Sequence, residues 1–160
     1  MELISHRGNL FGPDLSKENK PEFIDEAIML GFCVEIDIWI LKDGYYLGHD
    51  RPEIKVSTDY LNKRSDNLFI HLKNNTFKVQ DNFKKLNYFL HENEPFVFTS
   101  KGEKWYLPSK IIYDDGINLM PEFNWNIKDF VSKMKTETKV CSDFIYEIRD
   151  IIDVRLGLSK

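Results

Sequence analysis

Short apolar runs separated by polar connections recur along all 160 residues of the chain. Several of these runs lack the apolar–polar alternation of a half-exposed strand, and continuous runs of this kind are typical of parallel strands buried on both faces. Eight runs have the length and composition of strands, at residues 2–5, 33–40, 68–72, 88–90, 96–99, 110–113, 117–120 and 139–142. The pattern therefore predicts an α/β fold.

Helical patterns fill some of the gaps between the runs. Residues 21–30 are amphipathic, and Pro21 suits the first turn of a helix. Three more helices are predicted, at residues 76–86, 126–135 and 145–156. Eight strands with intervening helices predict a small, trimmed (β/α)₈ barrel of the TIM type, because the connections between residues 91 and 121 are too short for full helices. The alternative is an open, doubly wound sheet.

The composition is that of one globular domain, predicted to span residues 1–160, because 42% of the residues are hydrophobic and 14% aromatic. The net charge of −4 argues against nucleic-acid binding. No apolar run approaches membrane-spanning length and no secretory signal is present, which predicts a cytoplasmic protein without a transmembrane segment. Cys33 and Cys141 form no CxxC motif and are expected to be reduced.

All four histidines follow or end an apolar run: His6, His49, His71 and His91. In parallel α/β folds the C-terminal ends of the strands form one face, and that face carries the active site. Each histidine alone is more simply explained as a hydrogen-bonded core or surface residue. Their common placement favours a shared site.

Two carboxylates lie in the run CVEIDIW. Glu35 and Asp37 are two residues apart on a predicted strand, so both side chains point to one face. Burying them is costly unless a positive charge neutralises them, and a divalent cation with oxygen ligands does so. The alternative is that Arg7 or Lys73 pairs with them.

A tight turn is predicted after this strand at Asp43-Gly44, between two apolar runs. The resulting hairpin would fold the chain back and bring His49 towards the two carboxylates. Trp39 shares the predicted strand face of Asp37, and either lines the pocket or fills the core.

These motifs together resemble the amino-terminal motifs of glycerophosphodiester phosphodiesterases. The matching segments are SHRG at 5–8, KENKPEF at 17–23, VEIDIW at 34–39 and KDGYYLGHD at 42–50. Wider relatives are sphingomyelinase-D-like enzymes and phosphatidylinositol-specific phospholipase C, which are barrel enzymes that cleave phosphodiesters. The later chain matches weakly, although VCSDF at 140–144 resembles the Ser/Thr-Asp ending of the family's last strand.

The resemblance implies a role for each matching residue. His6 and His49 would be the catalytic acid–base pair, Glu35 and Asp37 would bind the divalent ion, and Arg7 would contact the phosphate. The residues Glu18 and Asn19 would organise the loop and the start of the first helix.

The third strand departs from the family pattern. Relatives carry a Glu-x-Lys or Asp-x-Lys whose carboxylate is a metal ligand and whose lysine lies near the phosphate, and here the chain reads His71-Leu72-Lys73. His71 is therefore predicted to ligate the metal, or else to hydrogen-bond near it, and Lys73 to bind substrate. A histidine in place of a carboxylate would shift the metal preference from Ca²⁺ towards Mn²⁺, with Mg²⁺ still possible.

The resemblance thus predicts an enzyme, a phosphoric diester hydrolase that needs one divalent ion (Mg²⁺, Mn²⁺ or Ca²⁺). It would cleave a glycerophosphodiester or related small-molecule phosphodiester by acid–base catalysis, through a cyclic phosphate where the substrate has a neighbouring hydroxyl. The alternative is a phosphate-ligand binding module on the same fold without turnover.

Overall fold

A computed structural model describes residues 1–74, 83 and 85–158 of the chain. These residues form ten strands: β1 (Glu2–His6), β2 (Cys33–Leu41), β3 (Gly44–Leu47), β4 (Ile54–Val56), β5 (Leu68–Leu72), β6 (Asn87–Phe89), β7 (Phe96–Phe98), β8 (Lys104–Tyr106), β9 (Gly116–Leu119) and β10 (Lys139–Ser142). They also form four α-helices: α1 (Pro21–Met29), α2 (Thr58–Asn62), α3 (Ile127–Lys133) and α4 (Ile145–Leu156). The helix predicted over residues 76–86 falls mostly outside the described residues.

The helix boundaries follow local sequence signals. Helix α1 has Pro21 in its first turn, and the side chain of Asn126 accepts hydrogen bonds from two backbone N–H groups at the start of α3. Both predicted starts are confirmed. Within the described part of the chain, no helix is long and apolar enough to cross a membrane.

Seven of the strands pair in parallel, in the order β6-β5-β2-β1-β10-β9-β8. The first and last strands of the chain are neighbours, with Leu3 beside Val140. Strands β3 and β4 extend antiparallel from β2, and β7 pairs antiparallel with β8. The hairpin predicted at Asp43-Gly44 is confirmed as the turn between β2 and β3.

The prediction of a trimmed (β/α)₈ TIM-type barrel is wrong. Such a barrel has eight parallel strands, each followed by a helix, whereas the described residues form a mixed ten-stranded sheet with four short helices. Short connections are the physical reason. The links after β2, β3 and β7 are too short to hold a crossover helix, so the chain returns as antiparallel hairpins there instead.

The strand predicted at residues 110–113 is also wrong, and β8 lies beside β9 in its place. Residues 110–113 are held by a side chain rather than by a strand pairing. The Asn118 side chain accepts a hydrogen bond from the backbone N–H of Tyr113 and donates one to its carbonyl. This apolar run is therefore a loop segment, and its Ile111 side chain is exposed.

Side-chain alternation on β2 and β5 divides the core into two layers. One face packs against the helices and includes Val34, Ile36, Ile38, Leu68, Ile70 and Leu72. The other face forms a second cluster of Ile4, Phe69, Phe89, Trp105, Ile117 and Cys141. The rings of Phe89 on β6 and Trp105 on β8 stack 4.4 Å apart although these strands are far apart in the sheet order, so the sheet is curled and this second face is concave.

Candidate metal and catalytic site

Three predicted ligands meet on the concave face because of the strand register. His6 on β1 lies beside Glu35 on β2, and Asp37 on β2 lies beside His71 on β5. Nδ1 of His71 is 3.2 Å from Oδ1 of Asp37 and 3.9 Å from Oε1 of Glu35. One donor atom from each of Glu35, Asp37 and His71 lies within 4.8 Å of the others. Because metal–oxygen distances are about 2.0–2.6 Å, one divalent ion could contact all three.

The carboxylates of this triad are buried and incompletely hydrogen-bonded. Glu35 is 3% exposed and Asp37 is fully buried. Within the described chain, Oε2 of Glu35 and Oδ1 of Asp37 have no hydrogen-bond partner. A buried acceptor without a partner costs about 1–3 kcal/mol, and more when it is charged. The donor set therefore fits a cation that would satisfy these oxygens.

The His71 ring is held so that one nitrogen faces the carboxylates. Nε2 is 3.1 Å from the carbonyl oxygen of His91, and the ring stacks on Phe89 with a centroid distance of 5.1 Å. A carbonyl can only accept, so Nε2 carries the proton and Nδ1 of the neutral ring presents a lone pair to Asp37 and Glu35. Metal-binding histidines usually donate their other N–H to a carbonyl or carboxylate in this way.

Two cations neutralise Asp37 much more than Glu35. Nε of Arg7 is 2.9 Å from Oδ2 of Asp37, and Nζ of Lys73 is 3.4 Å from Oδ1. Burial raises the pKa of Asp37, but the charges of Arg7 and Lys73 and a hydrogen bond from Asn19 hold it well below its ordinary value. Burial and the nearby charge of Asp37 raise the pKa of Glu35 above its ordinary value. Pairing with Arg7 or Lys73, the alternative to a metal, therefore applies to Asp37; among the described residues, neither cation forms an ion pair with Glu35.

His6 is bound to a carboxylate that the site prediction did not include. Nδ1 of His6 is 2.8 Å from Oδ1 of Asp143, and Nε2 is 3.8 Å from Oε2 of Glu35. Burial lowers the pKa of His6, but the hydrogen bond to Asp143 and the charge of Glu35 raise it above its ordinary value overall. Since a carboxylate accepts the Nδ1 proton, Nε2 of the neutral ring faces the triad.

His49 lines a cavity of about 210 Å³ together with Arg7, Glu18 and Asn19. Among the described residues, neither His6 nor the triad lines this cavity. Its side chain is 42% exposed, and its Nδ1 is 2.7 Å from Oδ1 of Asp50. His6 and His49 are thus both held at Nδ1 by an aspartate.

The turn that carries His49 is tied to β2. Trp39 donates its indole N–H to the carbonyl of Gly48 at 2.7 Å, and the N–H of Gly48 is 3.3 Å from the carbonyl oxygen of Asp37. Gly48 has a φ of +141°, and a Cβ at this position would lie 2.2 Å from the carbonyl oxygen of Arg51, so only glycine fits. In the structure Trp39 positions this turn, and its role in substrate binding stays a prediction.

The fourth histidine is placed differently. The His91 ring bonds to the carbonyl of Glu94, and only the His91 backbone carbonyl contacts His71. His91 does line a second cavity of about 210 Å³ together with His71 and Lys73. The four histidines therefore divide into His6 and His71 beside the triad, and His49 and His91 at its margins.

Asn19 organises the loop before α1, as the resemblance implies. Its side chain donates to Oδ2 of Asp37 and accepts from the backbone N–H of the same residue, both at 2.9 Å. Glu18 accepts hydrogen bonds from Arg7 and Asn9. Asn9 also donates to Asp143 at 2.8 Å. Asn9 and Asp143 are site residues that the sequence reasoning missed, although the VCSDF ending of the last run was a usable signal for Asp143.

Comparison of the chain with family models, curated proteins and solved structures found no significant match.

Proposed function

We propose that this chain is a metal-dependent phosphodiesterase of the glycerophosphodiester phosphodiesterase type, with His6 and His49 as its acid–base pair. The observation that carries the proposal is the buried triad of Glu35, Asp37 and His71, whose free oxygens and imidazole lone pair converge beside His6. Among the described residues, Oε2 of Glu35 has no hydrogen-bond donor and Oδ1 of Asp37 has only Lys73 at 3.4 Å, so a bound cation would lower the cost of burying both carboxylates.

The triad residues would hold one divalent ion. That ion, when bound, supplies positive charge to the phosphoryl oxygens. The donor set of one imidazole nitrogen and two carboxylates favours Mn²⁺ or another transition metal over Ca²⁺, which prefers six to eight oxygen ligands. The cations Arg7 and Lys73 reduce the negative charge of the site further and so disfavour a calcium site.

The protein groups would position and neutralise an anionic phosphodiester. Arg7 and Lys73 flank Asp37 and would bind phosphoryl oxygens that approach the triad. One histidine would take a proton from the attacking hydroxyl and the other would give a proton to the leaving oxygen. Histidine exchanges protons near neutral pH, and the contacts of His6 with Asp143 and Glu35 raise its pKa and so favour its protonated form.

The substrate in this proposal is a small-molecule phosphodiester, and nucleic acid is not expected. We extend the proposal to a cytoplasmic location, supported by two free thiols. Cys141 is buried, and burial raises the pKa of the half-buried Cys33 to about 12, so neither thiol is reactive.

The test is turnover of defined phosphodiesters by metal-free protein with and without added Mg²⁺, Mn²⁺ or Ca²⁺. Bis(4-nitrophenyl) phosphate, a glycerophosphodiester with a soluble head group and a lysophospholipid would be compared, and phosphorus NMR would distinguish a cyclic phosphate from a monoester. We expect His6→Gln and His49→Gln to lower the rate by roughly 10²–10⁴-fold. His91→Gln is the matched control, because the His91 ring is bound to the Glu94 carbonyl.

Two results would contradict the proposal. Activity that survives exhaustive chelation would show that no metal ion is needed. Wild-type rates in folded His6→Gln and His49→Gln proteins would contradict the acid–base mechanism. Tight binding of a phosphodiester by the metal-loaded protein, with no product from any substrate, would favour the binding module instead.

A further inference from the structure

Glu122 lies at the same end of the sheet as His6, in a 3₁₀ turn (Pro121–Phe123) that follows β9. Its Oε1 accepts hydrogen bonds from the Ser142 hydroxyl at 2.9 Å and from the backbone N–H of Asp143 at 3.0 Å. Its Oε2 is buried and has no partner in the part of the chain that the structure describes. Burial raises the pKa of the Glu122 carboxyl above its ordinary value, despite these hydrogen bonds. Glu122 is therefore a half-buried acid with a specific contact rather than a solvated surface group.

The backbone before Glu122 is strained. Met120 has a φ of +46° and a ψ of 57°, in the left-handed region that a residue with a long side chain rarely adopts. Such a conformation costs on the order of 1 kcal/mol or more. The N–H of Met120 bonds to the carbonyl of Cys141 at 2.8 Å, which ties the turn to the end of β10. The strained residue thus directs the chain from β9 across β10, where Glu122 reaches Asp143.

Asp143 is held at every polar group of its backbone and at one carboxylate oxygen. Its N–H bonds to Glu122, and its carbonyl accepts from the N–H of Gly12 at 2.8 Å. Its Oδ1 contacts Nδ1 of His6 and Nδ2 of Asn9, both at 2.8 Å. Since the direction of a side chain follows from its backbone, the Glu122 contact helps to aim this carboxylate at His6.

We propose that Glu122 is a positioning residue for His6. Its contacts with Ser142 and with the Asp143 N–H orient the Asp143 carboxylate towards His6. That carboxylate then keeps the His6 proton on Nδ1. Nε2 of His6 is then free to face Glu35. The catalytic consequence rests on the proposed role of His6 in the phosphodiesterase, whereas the structural claim about the His6 tautomer does not.

The test compares Glu122→Ala, which removes the acceptor, with Glu122→Gln, which retains an oxygen acceptor of the same reach. Nitrogen NMR of the imidazole groups, with His6→Gln to assign the signals, reports which His6 nitrogen carries the proton. We expect Nδ1–H in the unaltered protein and in Glu122→Gln, and a mixture with Nε2–H in Glu122→Ala. Ser142→Ala removes one of the two contacts and should lie between them. An exposed glutamate, changed as Glu137→Ala, is the control.

The kinetic expectation is a kcat lowered roughly 10²-fold in Glu122→Ala, with KM little changed and recovery in Glu122→Gln. A folded Glu122→Ala protein whose His6 stays in the Nδ1–H form would overturn the inference. If Glu122→Ala does not fold, Ser142→Ala decides instead: a partial shift to Nε2–H supports the inference, and an unchanged Nδ1–H form overturns it. Failure of the phosphodiesterase assay in the unaltered protein would contradict the proposed function alone, because the tautomer is measured without substrate.

Discussion

Replacement of Glu35 by glutamine should stabilise the metal-free protein and abolish its stabilisation by metal. Glu35 is buried, its Oε2 has no hydrogen-bond partner among the described residues, and the nearby cations pair with Asp37 instead. An amide has no charge to bury. Its N–H groups could donate to the free lone pairs of His6 or His71, which lie 3.8 and 3.9 Å from the present carboxylate oxygens.

The magnitude follows from the cost of the unsatisfied carboxylate. Removing it should raise the free energy of unfolding by about 1–3 kcal/mol. At about 2–4 °C per kcal/mol for a chain of this size, Tm should rise by about 2–12 °C. A ligand present at 100 times its Kd stabilises the native state by about 2.7 kcal/mol, so Mn²⁺ at that concentration should raise the Tm of the unaltered protein by about 5–11 °C. Glu35→Gln should gain almost nothing from Mn²⁺.

Thermal unfolding followed by circular dichroism, after dialysis against EDTA and again with added MnCl₂, measures both effects. Glu137→Gln, at an exposed position, is the control and should respond to metal as the unaltered protein does. The reasoning fails if Glu35→Gln is less stable than the unaltered protein without metal, or if Mn²⁺ raises both Tm values equally.

Two further predictions concern the histidines of the site. His71→Glu supplies a third carboxylate and should shift the ratio of Ca²⁺ to Mn²⁺ affinity towards Ca²⁺ by about tenfold or more. Titration calorimetry measures both affinities, and an unchanged ratio would exclude direct ligation by His71. The folded-state pKa of His6 is raised, so its contribution to stability is complete below the unfolded-state value of about 6.5 and is lost as pH rises through the folded-state value. As pH rises from about 6 to 9, the free energy of unfolding of the unaltered, metal-free protein should therefore fall relative to that of His6→Gln, measured by urea titration at each pH. The same dependence on pH in both proteins would contradict this prediction.

The strands that hold the site could be predicted from the sequence because their patterns are local. The runs at 68–72 and 139–142 became β5 and β10 with the same bounds, and side-chain alternation correctly assigned the two faces of β2. The number of helices and the closure of the sheet depend instead on the connections between the strands. The sequence of a single strand gives no information about them. This is why the barrel prediction failed although most of its strands exist.

Contacts between distant parts of the chain were harder to predict. His6 and Asp143 are separated by 137 residues and meet because β1 and β10 are parallel neighbours. The inward position of Glu122 was equally hard to predict, since the left-handed turn at Met120 that directs it has no glycine or asparagine to signal it. Composition and spacing carry no information about such a backbone state.

Spacing also does not distinguish Glu35 from Asp37, although the folded protein makes them unequal. Both point to the concave face, but among the described ion pairs Arg7 and Lys73 contact Asp37 and not Glu35, so the pKa of Asp37 is lowered while that of Glu35 is raised. A cation at the triad would therefore contribute most at Glu35, because Arg7 and Lys73 already lie beside Asp37. The two cations that neutralise Asp37 would also limit the total negative charge offered to the ion.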